Sequence, residues 1–242
     1  MKLPRSCIVL FVVCLAFIIP GVVSAGPQTL LLVSGGNTQS AGYNSTLPSH
    51  PLDISSYSNG VWSSAVAVAP ISWTWNDPAT APFGSGATWV SSAATTEDGQ
   101  DNSWRLFKID FAIPAGSTIN SAQLWYTADN AVTVYLNDAE ISNTGTVYGA
   151  APTPYPYDNS LYFFLHPYSV NFNPIVGSNT LKFVVRNWDN EGQYNPTGLL
   201  YKGIIAYQTP DAVPEFPSAF LPVTMIIGFL GAVLLIQRTR EQ

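Results

Sequence analysis

Phe107-Lys108-Ile109-Asp110-Phe111 and Leu181-Lys182-Phe183-Val184-Val185-Arg186 are the stretches that decide the fold. In an extended chain successive side chains point to opposite faces, so Phe107, Ile109 and Phe111 share one face and Lys108 and Asp110 the other. Leu181, Phe183 and Val185 repeat the device, with Lys182 and Arg186 facing outward. Such alternation marks antiparallel strands with one wet face. Ala122, Leu124 and Tyr126 form a third inward set, and Val132, Val134 and Leu136 a fourth. Two sheets of these strands, packed face to face, make an all-β sandwich.

The residues between the strands agree with this reading. Asn137-Asp138 leads into Ala139-Glu140-Ile141 and predicts a tight hairpin, because Asn and Asp both tolerate positive φ. Pro114-Ala115-Gly116 and Gly177-Ser178-Asn179 read as further turns. Residues 30–34 look like a first strand, and 35–57, rich in Ser, Asn, Gly and Pro, read as loop. Pro152, Pro154 and Pro156 exclude residues 149–158 from a central strand, since proline cannot donate to a ladder. Helical periodicity is missing between residues 26 and 211, and no internal repeat emerges.

Both ends of the chain are apolar. Lys2 and Arg5 precede an apolar stretch over residues 7–19 and a small-residue site at Val23-Ser24-Ala25, the pattern of a secretory signal peptide cut after Ala25. A retained anchor is the alternative. Residues 219–236 are apolar apart from Thr224, long enough at about 1.5 Å per residue to cross most of a bilayer core. Pro222 falls in the first turn, where its missing donor costs little. The basic tail 237–242, with Arg238 and Arg240, favours the cytoplasmic side. The expectation is an exported domain over residues 26–211, a linker over 212–218, and a membrane span.

Composition narrows the chemistry. The whole chain carries a net charge of −6. Acidic residues outnumber Arg105, Lys108, Lys182, Arg186 and Lys202 in the exported part, which argues against a nucleic-acid partner. Both cysteines, Cys7 and Cys14, fall in the signal segment, so thiolate chemistry and disulfides are not expected in the mature chain. The exported part is long enough for one well-packed domain and short for two.

Two resemblances follow from these residues. Pro214, Glu215, Phe216 and Pro217, then the apolar span, then Arg238 and Arg240, resemble the PEF-CTERM sorting signal of archaeal surface proteins. That resemblance implies an archaeosortase as partner, cutting near the motif and moving the ectodomain to another anchor; an ordinary single-pass anchor is the alternative. Separately, Trp104 to Phe111, Ser121-Ala122-Gln123-Leu124, Asp129 to Asn137, Asn179-Thr180-Leu181 and Val184-Val185-Arg186-Asn187 follow an order similar to galactose-binding-like jelly-roll domains. Asp138 stands where that pattern usually has Gly. Pro196-Thr197-Gly198-Leu199-Leu200 resembles the approach to the last strand in secreted members. The resemblance implies a fold; members bind glycans in some proteins and only support architecture in others.

Candidate sites each have two readings. Trp73, Trp75, Trp188, Tyr155 and Tyr157 offer flat faces for stacking on sugar rings, with Trp62 and Tyr162 also available; equally, such residues fill a sandwich core. Glu97, Asp98, Asp101 and Asn102 lie within one short turn and offer oxygen ligands for a structural calcium, but without EF-hand spacing; a solvated acidic turn is the other reading. Asp189, Asn190 and Glu191 form a second such cluster. His50 and His166 stand in no catalytic motif, and neither Gly-x-Ser-x-Gly nor His-Glu-x-x-His occurs, so a non-catalytic protein is expected. Asn44-Ser45-Thr46 fits an N-glycosylation acceptor. The functional expectation is a surface-displayed structural or adhesive module, with glycans or envelope proteins as partners. Glycan binding is the alternative and a glycoside-active enzyme a distant one.

Overall fold

A computed structural model describes residues 26–70, 75, 77–94, 101–144, 146–148, 167–188, 195–210 and 220–240. The signal segment, the stretch 149–158 and the linker 212–218 lie outside the described residues. The chain divides into a β unit, Pro27–Thr209, and a second unit that contains a C-terminal helix.

The strands of the β unit are β1 (Pro27–Val33), β2 (Gln39–Asn44), β3 (Ser63–Ser64), β4 (Val66–Ala67), β5 (Val90–Ser91) and β6 (Ser103–Ile113). They continue with β7 (Thr118–Asp129), β8 (Ala131–Leu136), β9 (Ala139–Asn143), β10 (Tyr168–Asn171), β11 (Gly177–Asn187) and β12 (Gly198–Gln208). One sheet runs β10-β7-β12-β5-β4, with β1 also paired to β12; the other runs β3-β2-β6-β11-β8-β9. Every pairing is antiparallel. The chain is therefore predominantly β, in two antiparallel sheets.

The main core is built from the inward sets read in the sequence. Phe107, Ile109, Leu181, Phe183, Val185, Val132 and Val134 come from one sheet, and Leu124, Tyr126, Tyr201 and Ile205 from the other. Phe183 stacks on Tyr201 with ring centroids 4.6 Å apart, so the two sheets meet directly. Burying each large apolar side chain contributes about 1.5–3 kcal/mol, which is why alternation over only five or six residues suffices to fix a face. Asn137 and Asp138 both take positive φ, 48° and 68°, and close the β8–β9 hairpin. Gly116, at φ 76°, completes the turn after Pro114; that turn carries the chain from β6 in one sheet to β7 in the other.

Three expectations need correction. Residues 35–57 are not all loop: β2 pairs with β6 despite its polar sequence, because backbone hydrogen bonding to a long neighbour compensates for weak side-chain preference. Gly177 and Asn179 begin β11 instead of forming a free turn. The strands also lack a uniformly wet outer face. Leu106, Val184 and Trp104 lie under a second apolar cluster with Ala41, Tyr57 and Trp188, while Trp75, Phe83, Trp89 and Leu200 form a third. Arg186, expected outside, is buried beneath this extra layer.

The second unit contains α1 (Phe220–Arg240), 21 residues long. Its Met225, Ile226, Phe229, Leu230, Leu234 and Ile236 are exposed. Among the described residues no helix is long and apolar enough to cross a membrane. Ala219 and several side chains of α1 lie outside that description, so the expected span over residues 219–236 stays a reading of the sequence.

Candidate functional site

Polar side chains converge where β7 ends and the chain crosses to β8 through a single residue, Asn130. The Asp129–Asn130 peptide bond is cis. Trp75 Nε1 donates to Asp129 Oδ2 at 2.8 Å, and Asn130 Nδ2 donates to Asp129 Oδ1 at 2.6 Å. Thr197 Oγ1 donates to the Asp129 carbonyl at 3.0 Å. Asn130 then ties down the strand beside it: its backbone N–H donates to the Arg186 carbonyl at 3.0 Å and its Oδ1 accepts from the Trp188 N–H at 2.8 Å. Asn195 Nδ2 donates to the Trp188 carbonyl at 2.6 Å and also to Asp101 Oδ1.

Arg186 extends the network over the outer layer. Its guanidinium donates to the Thr146 carbonyl and to Asn102 Oδ1, both at 2.8 Å, and lies 4.9 Å from the Trp104 ring centroid. Trp104 Nε1 donates to the Val147 carbonyl at 2.7 Å. Burial raises the Asp129 carboxyl to about 7, opposed by the Trp75 hydrogen bond and the charge of Arg105. Burial lowers the Arg105 guanidinium to about 10, opposed by Asp129 and Tyr43. Desolvation thus dominates both groups, as expected where charges are removed from water.

Trp75 and Trp188 require correction as stacking faces. Trp75 is 5% exposed and Trp188 1%, so neither presents a ring to a ligand. Trp75 stacks on Trp89 at 4.2 Å between centroids and also bonds Asp129; a large ring with one polar tip suits such a buried, half-polar position. Trp75 itself lies outside any strand. Asp101 accepts from Asn195, and among the described residues no group of three His, Cys, Asp or Glu is placed to hold a metal. Trp73, Tyr155, Tyr157, Glu97, Asp98, His166, Asp189, Asn190, Glu191 and the motif Pro214 to Pro217 lie outside the described residues. Asn44 ends β2 and folds back locally, its Oδ1 accepting from the Thr46 N–H at 3.0 Å and from Thr46 Oγ1 at 3.1 Å.

The structure therefore unites Trp75, Trp188 and Asp101 in one network, through Asp129, Asn130 and Asn195, which the sequence reading had not grouped. One signal for Arg105 was available: period two places it with Phe107 and Ile109, on the inward face. A separate aromatic surface lies on the outer face of the second sheet. Trp62 is partly buried, with Lys108 Nζ 5.0 Å from its ring centroid. Lys108 pairs with Asp110 at 2.6 Å, Thr180 Oγ1 donates to Asp110 at 2.6 Å, and the neighbouring Lys182 pairs with Asp138 at 2.7 Å.

No protein-family model matches the chain, and no curated protein does. Among solved structures it is similar to an α-L-rhamnosidase of Streptomyces avermitilis, at 16% identity and a TM-score of 0.40 over 75% of this chain and 20% of that one. A putative β-galactosidase of Bacteroides fragilis gives 13% identity and a TM-score of 0.37, covering 74% of this chain and 23% of the other. A β-glucuronidase of Ruminococcus gnavus gives 11% identity and 0.37, covering 74% and 29%. The chain spans less than a third of each of these structures. Likeness of this degree decides neither activity nor ligand.

Proposed function

We propose that this chain is a non-catalytic β-sandwich of galactose-binding-like jelly-roll type, displayed on an archaeal cell surface as a structural or adhesive element. A signal peptide over residues 1–25 exports it, residues 219–236 span the membrane, and an archaeosortase processes it at Pro214 to Pro217. One observation carries the non-catalytic reading. The polar side chains gathered around Asp129 are turned inward onto backbone and one another: Asp129 onto Trp75 and Asn130, Asn195 onto Trp188, Arg186 onto Thr146 and Asn102. Such an arrangement suits a rigid support, since these groups, removed from water, are held by partners within the fold.

The test is the intact mass and accessibility of the mature protein. Protease added to whole cells should remove the β unit, and a mass ending near Pro214 would support sortase processing. Retention of residues 219–236 would refute the processing, and full shielding with recovery from the cytosol would refute display.

Glycan binding is the second reading, and Trp62 is the residue that favours it. Its ring is not fully buried, and Lys108, which pairs with Asp110, lies over it, a charged group of the kind that orients sugar hydroxyls. Binding of a soluble 26–211 fragment to a glycan array, lost in Trp62→Ala and kept in a Trp62→Phe variant, would establish it. No binding across the array would remove it.

A further inference from the structure

We infer that β1 is the pairing edge of a symmetric dimer, in which two copies of this chain join sheets by antiparallel β1–β1 pairing. The inference goes beyond the surface display proposed above and does not depend on it. β1 lies along β12, from Pro27 opposite Gln208 to Val33 opposite Lys202, and among the described residues no strand pairs with its other side. The Ser34 N–H donates to the Tyr201 carbonyl at 3.0 Å, which sets the phase of that ladder. Alternation then turns the backbone groups of Gln28, Leu30 and Leu32 toward β12 and directs those of Thr29, Leu31 and Val33 away from it.

The other sheet edges are short or interrupted. β3 and β4 have two residues each and β10 four, while β9 carries Glu140 and a break in register against β8. β1 has seven residues in unbroken register, and its one guard against pairing is Pro27 at its start. Residues 26–52, and 203–210 of the facing strand, contain no Asp, Glu, Lys or Arg in a chain of net charge −6. Lys202, opposite Val33, donates to the Pro82 carbonyl at 3.0 Å. Leu31 is 49% exposed and pairs with the partly buried Ile204, while Leu30 is partly buried against the main core.

These features select a second copy as the occupant, because the edge is complementary to itself. Thr29, Leu31 and Val33 are symmetric about Leu31, so a two-fold axis there sets Thr29 opposite Val33 of the other copy and Leu31 opposite Leu31. Each of these pairs can exchange two backbone hydrogen bonds, which leaves no outward N–H among the three unmatched. The intervening pairs bring Leu30 against Leu32 of the other copy on the core side. A shift toward Pro27 would set Val33 opposite a residue without a donor, and a shift the other way would run past the end of β1. Apolar and Thr–Val pairs meet on both faces, and no like charges meet, a hazard whenever a net-acidic chain binds itself. The pairing consumes the edge, so assembly closes at two copies.

The test uses the full chain with Cys7→Ser and Cys14→Ser in mild detergent, given one new cysteine and oxidised with copper phenanthroline. Leu31→Cys places its thiol across the axis from its own copy, with about 5.5 Å between the α-carbons, and should yield a disulfide-linked dimer. Thr29→Cys alone lies about 13 Å along the strands from its copy and should link about tenfold less, whereas mixing it with Val33→Cys protein should restore the link. Adding Thr29→Pro to Leu31→Cys should cut linking about tenfold and leave the thermal melt in place, because the N–H it removes faces away from β12. In the chain without cysteine, hydrogen exchange at Thr29, Leu31 and Val33 should be fast in dilute protein and slow in concentrated protein. Equal linking at positions 29 and 31, or a dimer that leaves Leu31→Cys unlinked, would assign association to another surface and overturn the proposal. A monomer at every concentration would overturn it as well. Protection of the three amides in dilute monomer would place a segment of the same chain on the edge and overturn it too.

Discussion

Replacing Trp75 by Phe separates its structural duty from any stacking role, because the change keeps an aromatic ring against Trp89 and deletes only the indole N–H and the outer ring atoms. The deleted donor serves Asp129 at 2.8 Å. A hydrogen bond to a charged group contributes about 1.5–3 kcal/mol and a neutral one about 0.5–1.5 kcal/mol, so the loss depends on the ionisation of Asp129. Asp129 is raised from its usual 3.8 to about 7 in the fold. The folded chain therefore holds this proton more tightly than the unfolded one. Its contribution to stability is full below about pH 4 and is lost as pH climbs through 7. Trp75 opposes that loss by favouring the carboxylate. Without it the carboxyl rises further and the loss extends to higher pH, by about 1.4 kcal/mol for each unit gained.

Urea unfolding of the 26–211 fragment should therefore show Trp75→Phe costing about 1–2 kcal/mol more at pH 8 than at pH 5, the packing loss being common to both. In an Asp129→Asn background the pH dependence of the Trp75→Phe effect should vanish, the double-mutant test for a specific pair. Equal losses at both pH values, or a difference that survives Asp129→Asn, would refute the reasoning.

Gly198→Ala should lower stability by about 1–3 kcal/mol, because the new methyl would overpack a rigid site; it would stand 2.7 Å from Trp75 Cη2 and 3.1 Å from Trp89 Cε3, and thermal melting of the fragment checks it. Asn179→Ala should cost about 1–3 kcal/mol by orphaning the Ile175 N–H and two carbonyls, and hydrogen exchange should quicken at Ile175 first. If Asn44 is modified, the surface protein should lose one glycan mass in Asn44→Gln; identical masses after correction for the substitution would exclude it.

The strand alternation and the hairpin at Asn137-Asp138 were legible because each depends on near neighbours. A five-residue run of period two states its own burial, and two residues of positive φ state their own turn. The polar β2 was not legible, since it owes its strand to β6, whose long ladder is invisible from residues 39–44 alone. Nor was the second layer over the outer faces: the clustering of Leu106 and Val184 with Tyr57 and Trp188 depends on segments distant in sequence.

By itself the sequence determined that this is a strand-built chain with an acidic balance, apolar ends and four inward faces, because alternation, charge and hydropathy are properties of short windows. Only the tertiary structure decided what its tryptophans do. Trp62, Trp75 and Trp188 are chemically alike, yet two are enclosed around Asp129 and Asn130 and one keeps an edge to solvent. That difference depends on which distant segments fold across each ring, and no local pattern encodes it.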